Sequence, residues 1–336
     1  MSAADLLVLA ASLLVSALVL TTVVALVWWF DRYDREPLGL VAGAFAWGAL
    51  AAPPLAVVLV GAITMLWPAL ESLVPVLVGP PVEELLKGIA IVLVLVLSDQ
   101  FDNPTDGLVY GTAAGLGFAV TENTLHGMLG AVTGAPDTIG LVVARTVSSS
   151  GIHVLTSSIV GGGIGFAVLA RSRIGRIAFP VAALSAAAAL HAGWNAVLLA
   201  PGSGWGGVPV WLPVLPALYA AWLGVLVAFL RGEQGILSDE LGEEVRLGVL
   251  PAWVVEVIPS YRRRIRSDWW PRRRERTVIA RLMTRLAFRK HALRRMPMES
   301  KNLAGLEVVH LRRRLRRMLT PVTPGPDDDP WPGASP

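Results

Sequence analysis

The chain has 336 residues, of which 54% are apolar and 16% charged, and it contains no cysteine. This composition indicates an integral membrane protein rather than a water-soluble enzyme. The lack of cysteine excludes disulfides, thiolate metal sites and a cysteine nucleophile. The charge is unevenly distributed, because residues 1–231 hold 8 Lys/Arg against 12 Asp/Glu while residues 232–336 hold 21 against 13. We therefore predict a membrane core at 1–231, a basic amphipathic tail at 232–320 and a disordered C-terminus at 321–336.

About 20 apolar residues cross a bilayer, and runs of that length predict an all-α bundle of about seven transmembrane helices. The predicted spans are Leu6–Phe30, Leu38–Leu66, Val74–Leu97, Gly107–Leu129, Val147–Ala170, Ile177–Leu199 and Val208–Leu230. The first run lacks a preceding basic segment and carries Asp5, so we interpret it as a retained span rather than a cleaved signal. Pro53 and Pro54 predict a kink or break in the second span.

Arginines follow spans one, five and seven, and basic residues in short loops mark the cytoplasmic side. They are Arg32, Arg35, Arg171, Arg173, Arg176 and Arg231. This pattern predicts a multi-pass protein of the cell membrane with its N-terminus outside and its tail in the cytoplasm. The loop at 99–106 is acidic although it is also predicted to be cytoplasmic, but acidic residues carry little weight under this rule.

The tail contains two predicted basic helices, Thr277–Met296 and Leu303–Leu319, which space leucine and isoleucine at helical intervals between arginines. Arginine beside Trp269 and Trp270 could contact nucleic acid. Because the tail follows a membrane core, the anionic lipid surface is the favoured partner, and nucleic acid is disfavoured.

Span three opens with three charged residues, Glu83, Glu84 and Lys87, directly after Pro80-Pro81. Each charge at a bilayer centre costs roughly 2.5–3.5 kcal/mol, which makes these residues a candidate functional site. Glu83 and Lys87 lie one helical turn apart and can pair. That pairing would leave Glu84 as the freer carboxylate, although the assignment could reverse. The alternative interpretation is a salt bridge that only anchors the helix end.

Spans four to six each add polar residues at helical spacing. In span four, Gly107, Gly111 and Gly115 predict the close approach of another helix. Phe118 and Glu122 continue near the same face. Span five carries His153 with Ser157, and span six carries His191 with Asn195.

The predicted topology places the carboxylates, histidines and Asn195 of spans three to six in the outer half of the bilayer. A carboxylate can activate water, while imidazole and carboxamide groups can stabilise an oxyanion. The same side chains could instead hold a zinc ion that activates the water. Hydrolysis is therefore the predicted chemistry, and both mechanisms are open.

The ordered motifs resemble those of the PrsW family of intramembrane proteases, which is similar to the CAAX prenyl-protease superfamily. The motifs are Glu83-Glu84-x-x-Lys87, Phe118-x-x-x-Glu122-Asn123, His153 with Ser157, and His191-x-x-Trp194-Asn195. The segment from Asp31 to Pro37 also resembles that family. In the CAAX superfamily the second motif ends in His, where this chain has Glu122. The resemblance implies cleavage of a peptide bond in a membrane protein, an anti-sigma factor in the best-known member.

The resemblance also implies roles for these residues. In a metal-free mechanism, Glu84 and Glu122 would activate water while His191 and Asn195 bind the oxyanion. In a metal mechanism, Glu122, His153 and His191 would bind a divalent ion such as zinc, and Glu84 would be the base. The metal-free version is slightly preferred because His-rich ligand spacing is absent. Glu83, Lys87, Phe118 and Ser157 are expected to support the site.

Two other functions compete with proteolysis. The first is an ion- or proton-coupled transporter that uses the same buried carboxylates. It would need a polar path through both halves of the bilayer, yet the inner halves of spans three to six are nearly all apolar or Gly/Ala. The second is a non-catalytic scaffold whose tail binds partners or lipid.

Overall fold

The computed structural model describes residues 3–30, 33, 35–98, 100–132, 138–170, 172–199, 214–266, 268–295 and 301–319. These residues form helices and connecting turns, and no strand occurs among them. The chain divides into two compact units, residues 1–230 and 231–336. The predicted disordered segment 321–336 and residues 31, 32 and 34 lie outside the described residues.

The first unit contains eight α-helices and the start of a ninth within its described part. They are α1 (Ala3–Phe30), α2 (Leu38–Ala46), α3 (Ala52–Leu66), α4 (Gly79–Leu97), α5 (Pro104–Val132), α6 (Thr138–Val147), α7 (Ser149–Leu169), α8 (Arg173–Leu199) and α9 (Val214–Arg246). A π-helical turn, Trp47–Ala51, joins α2 to α3. A 3₁₀ turn, Pro68–Leu73, and a second π-helical turn, Val74–Val78, lead into α4.

Four helical stretches of the described chain are long and apolar enough to cross a membrane: Leu38–Leu66, Ile139–Leu169, Arg173–Leu199 and Pro216–Arg246. This confirms a helical membrane bundle, while the number of seven spans stays a prediction. Helix α4 is 19 residues long and carries Glu83, Glu84 and Lys87, so its composition alone does not identify it as a span. The three charges that suggest a functional site on α4 also make this helix too polar to be recognised as a membrane span from its composition.

Helix α5 lies at the centre of the first unit, and its glycines set its distance from α7. A Cβ atom placed on Gly107 would lie 2.0 Å from the carbonyl oxygen of Gly161, and one on Gly111 would lie 2.2 Å from that of Ser157. A Cβ on Gly115 would lie 2.3 Å from the carbonyl oxygen of His153. The close approach predicted from the glycine repeat is therefore confirmed. It brings the polar face of α7 directly against α5.

The proline pair in the second predicted span lies just after a π-helical turn. Ala52 donates its N–H to the carbonyl oxygen of Trp47, five residues back. Pro53 and Pro54 have no N–H, so neither an α-helical nor a π-helical donor reaches the carbonyl oxygen of Ala49. The hydroxyl of Thr121 in α5 donates to that oxygen at 2.5 Å instead. The predicted disturbance is thus a local change of helical register that α5 stabilises.

The second unit contains the end of α9 and the helices α10 (Val254–Val257), α11 (Tyr261–Ile265), α12 (Arg273–Arg295) and α13 (Lys301–Leu319) within its described part. The two predicted basic helices correspond to α12 and α13. On α12 the predicted apolar positions Ile279, Leu282 and Leu286 are buried. The unit is therefore packed around an apolar core rather than formed by isolated amphipathic helices.

Candidate active site

The polar side chains of α4, α5, α7 and α8 meet in the interior of the first unit. Glu84 and Lys87 on α4 are completely buried, and His153 on α7 and His191 on α8 are nearly so. Buried charges occur in proteins when they are paired and hydrogen-bonded. The contacts among these residues meet that requirement, so the sequence-predicted residues converge on one centre.

Glu84 is the anchor of this centre, because three side chains contact its Oε1 atom. Lys87 Nζ lies at 2.5 Å, His191 Nδ1 at 2.8 Å, and the hydroxyl of Thr156 donates to it at 2.9 Å. These contacts fix the orientation of the carboxylate. The favoured pairing of Lys87 with Glu83 is wrong, and the reverse assignment, with Glu84, is the one found. Helical geometry permits pairs at i,i+3 and i,i+4 alike, and the partners from α7 and α8 select the i,i+3 pair.

Glu83 has the more open position of the two adjacent acids. Its side chain keeps 21% of its surface accessible, against 0% for Glu84. Its Oε2 atom is buried without a hydrogen-bond partner among the described residues and lies 3.8 Å from His191 Nε2. Glu83 therefore faces the centre with one oxygen and an accessible edge of the unit with its remaining surface.

The contacts assign a tautomer to each histidine. The Lys87 ammonium has only donors, so at 3.1 Å it donates to His153 Nδ1, and the ring hydrogen of a neutral His153 lies on Nε2. That nitrogen lies 2.6 Å from Glu122 Oε2. In His191 the ring hydrogen lies on Nδ1, which faces the Glu84 carboxylate. His191 Nε2 therefore presents a lone pair toward Glu83.

Glu122 is held at the other side of His153. Arg145 on α6 contacts its Oε1 at 2.8 Å and donates from Nε to Asn123 Oδ1 at 3.2 Å. His126, which is substantially exposed, lies 3.6 Å from the same carboxylate oxygen. Glu122 is therefore fixed by a charged neighbour on a helix that the motifs do not include.

Phe118 and Ser157 pack around the charged centre as support. The centroid of the Phe118 ring lies 5.2 Å from the centroid of the His153 ring. The same centroid lies 4.9 Å from Lys87 Nζ. These are distances at which a cation and an imidazole favour an aromatic face. Ser157 is buried beside Gly115, and its Oγ has no hydrogen-bond partner within the described ranges.

Asn195 lies one helical turn beyond His191 and joins α8 to the entrance of α4. Its amide donates to the carbonyl oxygen of Pro75 at 2.8 Å. In the π-helical register of Val74–Val78 that oxygen would be bonded by residue 80, but Pro80 has no N–H. Asn195 thus takes the place of a missing backbone donor just before the Glu83-Glu84 segment.

Two residues of the site were not predicted from the sequence. Thr156 follows His153 by three positions and so shares its helical face. Arg145 is the only basic residue between the predicted spans four and five, which was the signal available for it. Neither residue belongs to a motif that the family resemblance supplied.

Three residues of the described chain form a group that fits a metal ion. Glu83, His153 and His191 each offer a donor atom, and these atoms lie within 4.8 Å of one another. The unpartnered Oε2 of Glu83 and the lone pair on His191 Nε2 are ligand atoms that zinc commonly takes. The predicted ligand set named Glu122 where this group has Glu83. Glu122 lies beside the group, in contact with His153.

The described part of the chain combines a helical membrane fold with a buried carboxylate–histidine centre. A family model described as PrsW family intramembrane metalloprotease matches residues 36–233, which is more than half of the chain. The chain belongs to this family. It is 32% identical over 134 residues to the protein named Protease PrsW from Geobacillus kaustophilus (strain HTA426).

That match covers 39% of this chain and 55% of the relative, so the chain spans about half of the relative's length. No solved structure matches the chain. The family match ends near the boundary between the two units. Family membership therefore says nothing about the function of the second unit.

Proposed function

We propose that the protein is an intramembrane endopeptidase that hydrolyses a peptide bond of a membrane-protein substrate near the outer face of the membrane. The observation that carries this proposal is the convergence of two acids and two histidines from four helices at 2.6–2.8 Å contacts. Membership of the PrsW family supports it. By analogy with the best-known member of the family, the substrate class is a membrane-protein regulator such as an anti-sigma factor.

In the metal-free version of this proposal Glu83 is the general base, which revises the expected role of Glu84. Both acids have an Oε2 without a hydrogen-bond partner among the described residues. Glu84 is completely buried and its Oε1 already accepts from three side chains, whereas the Glu83 side chain is 21% accessible and can meet water. Glu83 takes a proton from water as the oxygen attacks the scissile carbonyl carbon. It then passes that proton to the departing nitrogen as the C–N bond breaks. Glu84 keeps His191 in the tautomer that presents Nε2.

In the metal version, Glu83, His153 and His191 would hold a divalent ion, and Glu83 would be a ligand instead of the base. His153 would bind the ion only after Nε2 loses the hydrogen that faces Glu122, or after Lys87 leaves Nδ1. When bound, such an ion polarises the scissile carbonyl and makes water more acidic. Asn195 carries two amide N–H groups, of which one binds Pro75. We assign the other to the developing oxyanion. The geometry of the three donor atoms and the family description support this version over the metal-free one.

The experiment compares membrane proteins in cells that express the wild type, Glu83→Gln or Glu71→Gln. New protein termini in the membrane fraction, identified by N-terminal peptide mass spectrometry, should occur with the wild type and be absent with Glu83→Gln. Glu71 is exposed and lies outside the site, so Glu71→Gln is the control for a lost carboxylate and should behave as the wild type. Identical termini with the wild type and with Glu83→Gln would disprove the proposal.

The metal is tested separately on purified protein. We expect about one divalent ion per chain in the wild type and in Glu71→Gln, and less than about a tenth of that in His191→Ala, since a lost ligand removes one of only three donors. Elemental analysis by mass spectrometry measures the content. Wild-type protein that cleaves without any bound metal and in the presence of a chelator would favour the metal-free mechanism.

We further propose that the exposed arginines of the second unit contact anionic lipid headgroups on the cytoplasmic side. Support comes from the basic composition of residues 232–336. Several of the basic residues are engaged within the unit, since Lys290 and Arg312 both pair with Glu244, and Arg285 pairs with Glu307. Lipid contact is therefore assigned to the exposed arginines of α11 and α13 instead.

A further inference from the structure

An apolar cavity lies between α4, α7 and α8 within the first unit and reaches the active site at Glu84. Its volume is ≈ 510 Å³, and its two polar lining residues lie on different helices, Glu84 on α4 and Arg176 on α8. Between them the walls are hydrocarbon, contributed by residues such as Val92, Leu95, Val160, Ile164 and Leu184. We call this cavity the lateral groove.

The dimensions of the lateral groove restrict what can occupy it. Its lining residues on α4 run from Glu84 to Leu95, which at 1.5 Å per residue is about 16 Å. An α-helix with its side chains is about 10–12 Å across, so over this length it needs roughly 1,250 Å³ or more. The empty space of the groove is ≈ 1070 Å³, so the groove does not enclose a transmembrane helix of a substrate.

An extended peptide is narrower than a helix, but its backbone does not suit these walls. Each buried N–H and C=O needs a hydrogen-bond partner, and without one costs several kcal/mol in an apolar site. The walls between Glu84 and Arg176 are lined by apolar side chains. A single hydrocarbon chain is narrow and flexible and has no hydrogen-bonding group, so it meets both requirements.

Charge at the Arg176 end indicates what the hydrocarbon chain is attached to. Arg176 is exposed, and its Nε donates to the carbonyl oxygen of Ala170 at 3.3 Å, which uses one of five N–H donors. Arg173 is also exposed and lies three residues earlier, on the same face of α8. Two guanidinium groups on one face favour a phosphate, whose oxygens they can bind in pairs.

We propose that the lateral groove binds one acyl chain of a membrane phospholipid, with the phosphate held by Arg176 and Arg173 and the chain extending along α4 toward Glu84. The occupied groove shields that side of Glu84 from water and fills the space between α4, α7 and α8. This lipid site does not depend on the proposed proteolysis, because neither arginine belongs to the active site.

The test is lipid binding by the full-length protein, purified in mild detergent and stripped of endogenous lipid. Native mass spectrometry measures binding of palmitoyl-oleoyl phosphatidylglycerol and of the diacylglycerol with the same chains. The wild type should bind one phosphatidylglycerol and bind the phosphate-free lipid about tenfold more weakly. Equal binding of the two lipids would overturn the phosphate contact, and absence of both would overturn the site.

Two variants separate the ends of the groove. Arg176→Gln is an exposed substitution that should weaken phosphatidylglycerol binding about tenfold without affecting folding. Val92→Phe places a ring in the groove and should abolish binding of both lipids. Val96→Phe is the matched control, because Val96 is an exposed residue of the same helix and does not line the groove. Equal lipid binding by Val92→Phe and Val96→Phe would overturn the proposal even if Arg176→Gln bound weakly.

Discussion

At the scale of single residues, the site depends on one lysine that has no exposed surface. Lys87 contacts Glu84 and His153, so it compensates a buried carboxylate and sets the tautomer of an imidazole. Lys87→Met keeps the volume of the side chain but leaves Glu84 as an uncompensated buried charge. We expect a loss of about 3–5 kcal/mol in the free energy of unfolding, measured by denaturant titration in mixed micelles.

A double variant is the control for Lys87. Lys87→Met combined with Glu84→Gln removes both charges, so it should be more stable than Lys87→Met alone. A double variant that loses the sum of the two single effects would show that the pair does not interact. Either result is obtained from unfolding alone, without a substrate.

A second residue-scale prediction concerns Arg145, which holds Glu122 and Asn123 from outside the motifs. Arg145→Gln should reduce the rate of substrate cleavage about 10–100-fold, as expected when a group that orients a ligand or catalytic acid is lost. His126→Gln is the comparison, because His126 is farther from the same oxygen and partly exposed. It should retain most of the cleavage rate. Equal rates in both variants would remove Arg145 from the site.

At the scale of helices, the glycines of α5 bring the centre together. A side chain on Gly111 would collide with the carbonyl oxygen of Ser157 and so separate α5 from α7. We expect Gly111→Val to lower the thermal stability of the purified protein and to weaken metal binding, because moving α7 displaces His153 from the other two proposed ligands. Gly162→Ala is the control, since a Cβ there meets nothing within 4 Å. A Gly111→Val protein as stable as Gly162→Ala would contradict this packing.

Helical periodicity explains how much of the site was predictable. Charged and polar residues in apolar runs identified Glu83, Glu84, Glu122, His153 and His191, and the structure brings these residues together. The pairing of Lys87 was not predictable, because i,i+3 and i,i+4 neighbours are equivalent on an isolated helix. Thr156 and His191, which lie on other helices, both contact Glu84 and so favour the pair of Lys87 with Glu84 over the pair with Glu83.

The fold was predictable to a similar extent, and for a related reason. Apolar runs correctly indicated where most helices lie, but the π-helical turns before the two proline pairs were not visible in them. Those turns are stabilised by side chains of other helices. Thr121 donates a hydrogen bond to the carbonyl oxygen of Ala49, and Asn195 donates one to the carbonyl oxygen of Pro75. The extension of α9 to Arg246 was also missed, because its last turns are charged and pair with Lys290.

At the scale of the whole molecule, the orientation in the membrane determines which compartment the products enter. The arginine distribution predicts an external N-terminus and a cytoplasmic tail. Because the chain has no cysteine, single cysteines can be introduced without background labelling. Ser172→Cys, in the turn before α8, should react with a membrane-impermeant maleimide only from the cytoplasmic side. Glu71→Cys, in the 3₁₀ turn, should react only from outside.

The acidic loop is the sharpest test of this orientation, since its composition does not follow the arginine rule. Gln100 is exposed within that loop. A cysteine introduced there should be labelled from the same side as Ser172→Cys and from the opposite side to Glu71→Cys when intact and opened cells are compared. Helix α4 connects the side of Glu71 to the side of Gln100, so labelling of both from one side would mean that α4 does not cross the membrane. In that case the charges at 83, 84 and 87 would belong to a re-entrant helix, and the site would open to the compartment of the acidic loop.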